Sequence, residues 1–246
     1  MRRRKAEYAC MSCVGSIRRN NEDNFYCDGH IREDADSVED TFFSGEVTSD
    51  AGALFAVFDG MGGEACGEVA SLVAAREAAL FVKERGGLDE YLYELAEHLN
   101  DKVREETEER SLVLMGTTAA MLQICGDDVY ILNAGDSRIY KLSRHELRPI
   151  SEEHIVAARG GKAITKFLGM PEGHSLRPYI AKGKYRTGDI FLLCSDGVTD
   201  MLSDDEICRL IDDRRPLSES VRSLVGAALD RGGVDNTTAI LLRFGK

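Results

Sequence analysis

The chain has 246 residues, 43% of them hydrophobic, and no apolar run of the length a bilayer crossing needs, so it reads as one soluble domain spanning 1–246. Its formal net charge of -12 argues against nucleic acid or an anionic membrane as partner, because both repel an acidic surface that lacks a compensating basic patch. A chain of this size buries roughly 70% or more of its unfolded surface, so a metal site in it would serve chemistry rather than folding.

The one basic cluster, Arg2 to Lys5, is followed by no apolar stretch and is expected to be a solvated terminus rather than a secretory signal. A first strand is expected around Tyr8–Val14. It carries Cys10 and Cys13, a CxxC that no second pair completes, so both read as ordinary thiols. Seven cysteines without a paired framework suit a reducing cytoplasm. The acidic segment His30 to Asp50 lacks periodicity and is expected to be a mobile loop. A strand at Ala53–Phe58 precedes a helical stretch, Glu64–Glu84, that is apolar almost all round and should be sandwiched. Leu88, Leu92, Leu95, Leu99 and Val103 mark a second, amphipathic helix.

A strand pair follows at Thr117–Ile124 and Val129–Asn133, then a strand at Ile139–Leu142. The glycine-rich, polar segment 151–177 reads as a surface excursion. A strand at Ile190–Cys194 comes next, then a short helix opened by a Ser203/Glu206 capping box. Val221, Leu224, Val225 and Ala228 give another helix its apolar face, and Thr237–Phe244 is the last strand. Consecutive strands and paired helices favour an α+β layered sandwich of antiparallel sheets over a doubly wound parallel sheet.

Aspartates recur at the ends of apolar strands beside glycine: Asp59 before Gly60, Asp136 after Gly135, Asp196 before Gly197, and Asp235 soon after Gly233. Each carboxylate would thus be delivered to a sheet rim, with glycine leaving room for close approach. Singly, Asp-Gly after a strand is an ordinary turn signal. If the four converge, however, they cannot all stay ionised without cations, and an all-oxygen donor set suits magnesium or manganese. The run Arg18-Arg19-Asn20-Asn21-Glu22-Asp23 adds a guanidinium able to fork onto phosphate oxygens, with carboxylates able to hold metal-bound water. Alone, it would be a charged turn.

In order along the chain these residues are Arg18, Asn21-Glu22-Asp23, Val57 to Gly63, Gly116-Thr117-Thr118, Gly135-Asp136-Ser137-Arg138, Ser195-Asp196-Gly197 and Asp235-Asn236-Thr237-Thr238. The set resembles the protein phosphatase 2C family of metal-dependent protein phosphatases, in its bacterial form, from about Val14 to Phe244. The resemblance implies a four-layer α-β-β-α sandwich, two antiparallel sheets flanked by helix pairs, with a binuclear site at one edge.

It also implies two divalent cations, Mn2+ or Mg2+, and a weaker third. Asp59 would bridge both, the Gly60 carbonyl would bind the second, and Asp196 and Asp235 would complete the first. Glu22 would act through water, Asp136 with Asp196 would hold the third, and Asp23 and Asn236 would support the shell. Arg18 would grip the substrate phosphate, and Thr117 and Thr118 would serve strand packing. A water bridging the cations would hydrolyse phosphoserine and phosphothreonine in proteins.

Two departures stand out against that pattern. Met61 stands where eukaryotic members carry a histidine, and the stretch from His154 to Gly169, within 151–177, resembles a shortened flap. The implied setting is the cytoplasm, where the enzyme would act as a monomer opposing a serine/threonine kinase, with no nucleic acid or membrane partner. The alternative is a non-catalytic phosphoprotein-binding module of the same fold, against which the intact aspartates argue. A different metallohydrolase would enlist several histidines, and all five here lie outside the motifs.

Overall fold

The apolar runs of the sequence become the strands of two stacked sheets in the computed structural model, which describes residues 5–48, 52–61, 66–81, 88–158, 161–212 and 214–245. In chain order the elements begin with β1 (Lys5–Cys13), β2 (Asp23–Cys27), β3 (Thr41–Thr48), β4 (Leu54–Met61), α1 (Gly67–Leu80) and α2 (Leu88–Glu109). They continue with β5 (Gly116–Thr117), β6 (Ala119–Cys125), β7 (Asp128–Ala134), β8 (Arg138–Ser143), β9 (Glu146–Pro149), β10 (Ile155–Ala158) and β11 (Gly161–Ile164). Last come β12 (Tyr179–Lys184), β13 (Ile190–Cys194), α3 (Asp196–Thr199), α4 (Asp204–Leu210), α5 (Leu217–Asp230) and β14 (Thr237–Phe244).

One sheet has the order β3-β1-β14-β13-β8-β9 and the other β12-β7-β6-β4-β2, with β5 paired to β4. The pairings are antiparallel throughout. Residues alternate between two cores along the central strands. Phe55 and Val57 of β4 meet Ile240, Leu242 and Phe244 of β14 between the sheets. Leu54, Ala56 and Phe58 face α1 and α2, while Ala239 and Leu241 face the helices over the other sheet. Strands buried on both faces read as continuous apolar runs, which is why they are plain in the sequence. The layers are helix, sheet, sheet, helix, as the sequence implies.

The helices also follow expectation. Buried Ala70, Ala74, Ala75 and Ala78 let α1 lie close between its sheet and α2. The Ser203 N–H donates to the Glu206 carboxylate at 3.0 Å, closing the capping box of α4. Of the expected stretch Glu64–Glu84, residues 64–65 and 82–84 lie outside the described residues, as do Arg2 to Arg4. No described helix is long and apolar enough to cross a membrane.

Two expectations need correction. The segment His30 to Asp50 is not all loop, because Thr41–Thr48 forms the edge strand β3 along β1. Its two phenylalanines anchor opposite faces: Phe43 packs toward the inter-sheet core, and Phe42 lies 3.9 Å under the Arg222 guanidinium. Arg32, buried to 4% exposure, ties the approach to β3 by donating to the carbonyls of Asn21, Asp23 and Ser37. The surface excursion 151–177 contains an exposed hairpin, β10–β11, but its second half turns inward. There Leu168, Met170 and Leu176 join the core beneath α1 and α2. The expected strand Thr117–Ile124 is split into β5 and β6 at Thr118.

Candidate metal centre

Four strands bring their carboxylates to one edge of the sandwich. Asp59 lies near the end of β4, Asp136 follows β7 after Gly135, Asp196 opens α3 directly after β13 and Ser195, and Asp235 precedes β14. One cleft of about 240 Å³ gathers Arg18, Glu22, Asp59, Gly60, Asp136, Asp196 and Asp235, with Met61 and Ile164 as its apolar lining. Each of Asp59, Asp136 and Asp196 offers a carboxylate oxygen, and these oxygens lie within 4.8 Å of one another. All three are half-buried.

Asp235 shares the cleft, and both of its oxygens accept hydrogen bonds. Arg18 holds one of its oxygens at 2.6 Å, and the Asn236 N–H donates to the other at 2.8 Å. Asp23 sits behind the cleft, opposite Asp59 in the β2–β4 register. Its Oδ2 accepts the Ser195 hydroxyl at 2.8 Å, and its Oδ1 is buried without a hydrogen-bond partner.

The backbone around these groups is tightly specified. Asn236 accepts the Glu22 N–H at 2.8 Å and donates to the carbonyls of Asn20 and Val14 at 2.8 and 2.9 Å, so one side chain pins the loop that carries Arg18 and Glu22. Gly60 donates its N–H to the Glu22 carbonyl at 3.1 Å. A Cβ there would lie 2.2 Å from the Gly67 carbonyl oxygen and 2.5 Å from that of Glu22, which only glycine avoids.

Thr117 and Thr118 do more than the strand packing expected of them. The Thr118 hydroxyl accepts the Asp59 N–H at 3.0 Å and bonds the Ser137 hydroxyl at 2.7 Å, while the Thr117 hydroxyl donates to the Asp59 carbonyl at 2.9 Å. Thr118 thus fastens the Asp59 strand to the loop that carries Asp136, and it does so at the break between β5 and β6, which pair in turn with β4. Sequence reasoning also missed Arg32, inside a segment read as loop, and Glu68, whose carboxylate accepts from Asn20 at 3.1 Å on the approach to Glu22. His154 faces Gly135: its backbone N–H donates to the Gly135 carbonyl at 2.8 Å, its Nδ1 accepts the Gly135 N–H at 3.4 Å, and burial lowers its pKa, favouring the neutral ring.

Crowded carboxylates hold protons. Burial, then the charges of Asp23, Asp196, Asp136 and Asp235, push Asp59 far above the ordinary range. Burial and the charge of Asp136 push Asp196 up to about 7. Burial also lifts Asp23 to about 7, and it raises Asp136 and Glu22. Carboxylates this destabilised in the ionised form are relieved by bound cations, and the donors are all hard oxygens, so the residues present fit divalent Mg2+ or Mn2+. Zinc, which favours sulfur and nitrogen, fits poorly.

Comparison with known proteins agrees with this geometry. The sequence model described as Protein phosphatase 2C matches residues 28–231. The serine/threonine phosphatase stp of Listeria monocytogenes is 32% identical over 250 residues, covering 93% of this chain and 92% of its own. The phosphatase PstP of Mycobacterium tuberculosis is also 32% identical, and the match covers 95% of this chain and 44% of that longer protein. The crystal structure of PstP/Ppp superposes with a TM-score of 0.78 at 30% identity, covering 98% of this chain and all of that one. A structure of the PstP catalytic domain in complex with two manganese ions gives 0.78 at 29% identity, with the same coverage. With the model matched over most of its length and relatives above 30% identity along nearly all of it, the chain belongs to the protein phosphatase 2C family.

Proposed function

We propose that Asp59, Asp196 and Asp235, with the carbonyl of Gly60, hold the two divalent cations with which this chain hydrolyses phosphoserine and phosphothreonine in proteins. The convergence of the Asp59, Asp136 and Asp196 carboxylates within 4.8 Å carries this reading, supported by the two manganese ions of the PstP catalytic domain. Asp136 with Asp196 would hold a weaker third cation, and Glu22 would act through water.

Cations bound there supply Lewis-acid charge for the phosphoryl oxygens and lower the pKa of a water from ~15.7 toward neutrality. The protein contributes placement. Asp59 is held through both its N–H and its carbonyl, so its carboxylate needs little reorganisation when charge develops. Arg18 presents a planar guanidinium able to donate two parallel N–H bonds to the phosphate, and its ion pair with Asp235 holds it at the cleft. Asp23 and Asn236 act from behind, one on Ser195 and the other on the loop of Glu22. Met61 has no proton to give, so the leaving oxygen is protonated by water or by another group.

The seven cysteines are all free thiols, which supports a reducing cytoplasm as the setting. There the enzyme opposes a serine/threonine kinase, acting as a monomer. The test is hydrolysis of para-nitrophenyl phosphate and a phosphothreonine peptide with manganese, with magnesium and with chelator, alongside Asp196→Ala and Asp235→Ala. Metal-dependent turnover lost in both variants is the expected result. A metal-loaded wild type inactive on both substrates would leave a phosphoprotein-binding module in its place.

A further inference from the structure

We infer that Ile17 and Val234 form an apolar subsite on the rim of the cleft, which selects phosphoproteins with an aliphatic residue next to the phosphorylated serine or threonine. This deepens the phosphatase assignment and rests on it. Ile17 is 67% exposed and Val234 49%. Each immediately precedes a residue that lines the cleft, Arg18 in one case and Asp235 in the other.

The two segments are held side by side. The Ser16 N–H donates to the Gly233 carbonyl at 2.7 Å on one side, and Arg18 grips Asp235 at 2.6 Å on the other. Ile17 lies between these links on its segment and Val234 between them on its own. At Gly15, where φ is +82°, a Cβ would lie 2.3 Å from the Asp235 carbonyl oxygen, so the close approach depends on that glycine.

Single exposed aliphatic residues are ordinary on protein surfaces and need no explanation. These two stand on segments that are linked on either side of them, beside the arginine assigned to the phosphate. A peptide whose phosphate is anchored at Arg18 carries its flanking residues out of the cleft at ~3.3–3.6 Å each when extended, over the rim on which Ile17 and Val234 are exposed. An aliphatic side chain laid over the pair is removed from water on that side.

The experiment uses phosphothreonine peptides with leucine, serine or aspartate at the position immediately before or after the phosphothreonine, and para-nitrophenyl phosphate as a substrate without flanks. With manganese and wild-type protein, leucine at one of the two positions should exceed serine and aspartate by about five- to tenfold in kcat/KM, chiefly through KM. In the double variant Ile17→Ser/Val234→Ser that preference should fall to near unity. Both positions are exposed, so the substitutions leave the core untouched. Peptides hydrolysed at equal rates, or a leucine preference that survives the double substitution, would overturn the subsite. Failure to hydrolyse even para-nitrophenyl phosphate would overturn the phosphatase assignment and the subsite with it.

Discussion

Replacing Thr118 with valine tests how Asp59 is placed. The two side chains have nearly the same shape, and Thr118 is fully buried, so the change removes a hydroxyl and little else. Two partners lose their bonds: the Asp59 N–H, now 3.0 Å from the hydroxyl, and the Ser137 hydroxyl at 2.7 Å. An unsatisfied buried polar group costs about 1–3 kcal/mol, so Thr118→Val should destabilise the fold by about 3 kcal/mol in all. In a chain of this size that lowers Tm by about 6–12 °C. Thr118→Ser keeps the hydroxyl and deletes a methyl that packs on Gly135, for about 1 kcal/mol. Urea unfolding should shift its midpoint in that order, with an unchanged slope. Activity should separate the variants further, because a catalytic carboxylate displaced by ~1 Å can lose about 100-fold in kcat/KM. Equal losses of stability and activity in the two variants would show that the hydroxyl carries no special weight, and the placement of Asp59 would need another cause.

The acidic cluster sets a pH dependence. Asp196 and Asp23 are held near 7, against about 3.9 for an unfolded aspartate, so the folded chain binds these protons more tightly. Their contribution to stability is full below about pH 4 and is lost as pH rises through about 7. Scanning fluorimetry of chelator-treated protein should therefore show Tm falling from pH 5 to pH 8, and added Mn2+ should raise Tm more at pH 8 than at pH 5, because cations displace those protons. A flat profile would count against the cluster. Gly60→Ala forces a Cβ to 2.2 Å from the Gly67 carbonyl oxygen and should abolish activity while costing roughly 3 kcal/mol or more by chemical denaturation; near-wild-type stability would contradict the packing. Arg18→Ala should raise KM for the phosphopeptide at least about tenfold, the weight of a charge-assisted hydrogen bond, and an unchanged KM would remove Arg18 from the phosphate site.

The parts of the fold that were legible in the sequence are those buried on two sides. β4, β13 and β14 are unbroken apolar runs because sheet and helix cover opposite faces, and their polar ends mark where the aspartates emerge. Edge elements were harder to read. β3 hides behind an acidic flank and depends on Phe42, Phe43 and the distant Arg222, while β12 carries lysines that point to water and ion-pair with Asp128. Pattern reading sees neither partner. The same limit applies at the site. Which aspartates the strands deliver was legible, but the clasp of Thr118 on Ser137 and the buried cation of Arg32 are contacts across 19 and about ten residues that no local period encodes. The grouping of Asp136 with Asp59 and Asp196, while Asp235 pairs with Arg18, likewise depends on how four strand ends meet in space.

The most direct measurement is phosphate release from a phosphothreonine peptide by wild-type protein and by Asp59→Asn, each with Mn2+ and with excess chelator, on samples whose circular dichroism spectra match. Turnover by the wild type that requires Mn2+, and its loss in Asp59→Asn, is the expected result. Turnover that survives the chelator, or that persists in Asp59→Asn, would contradict a metal centre built on Asp59.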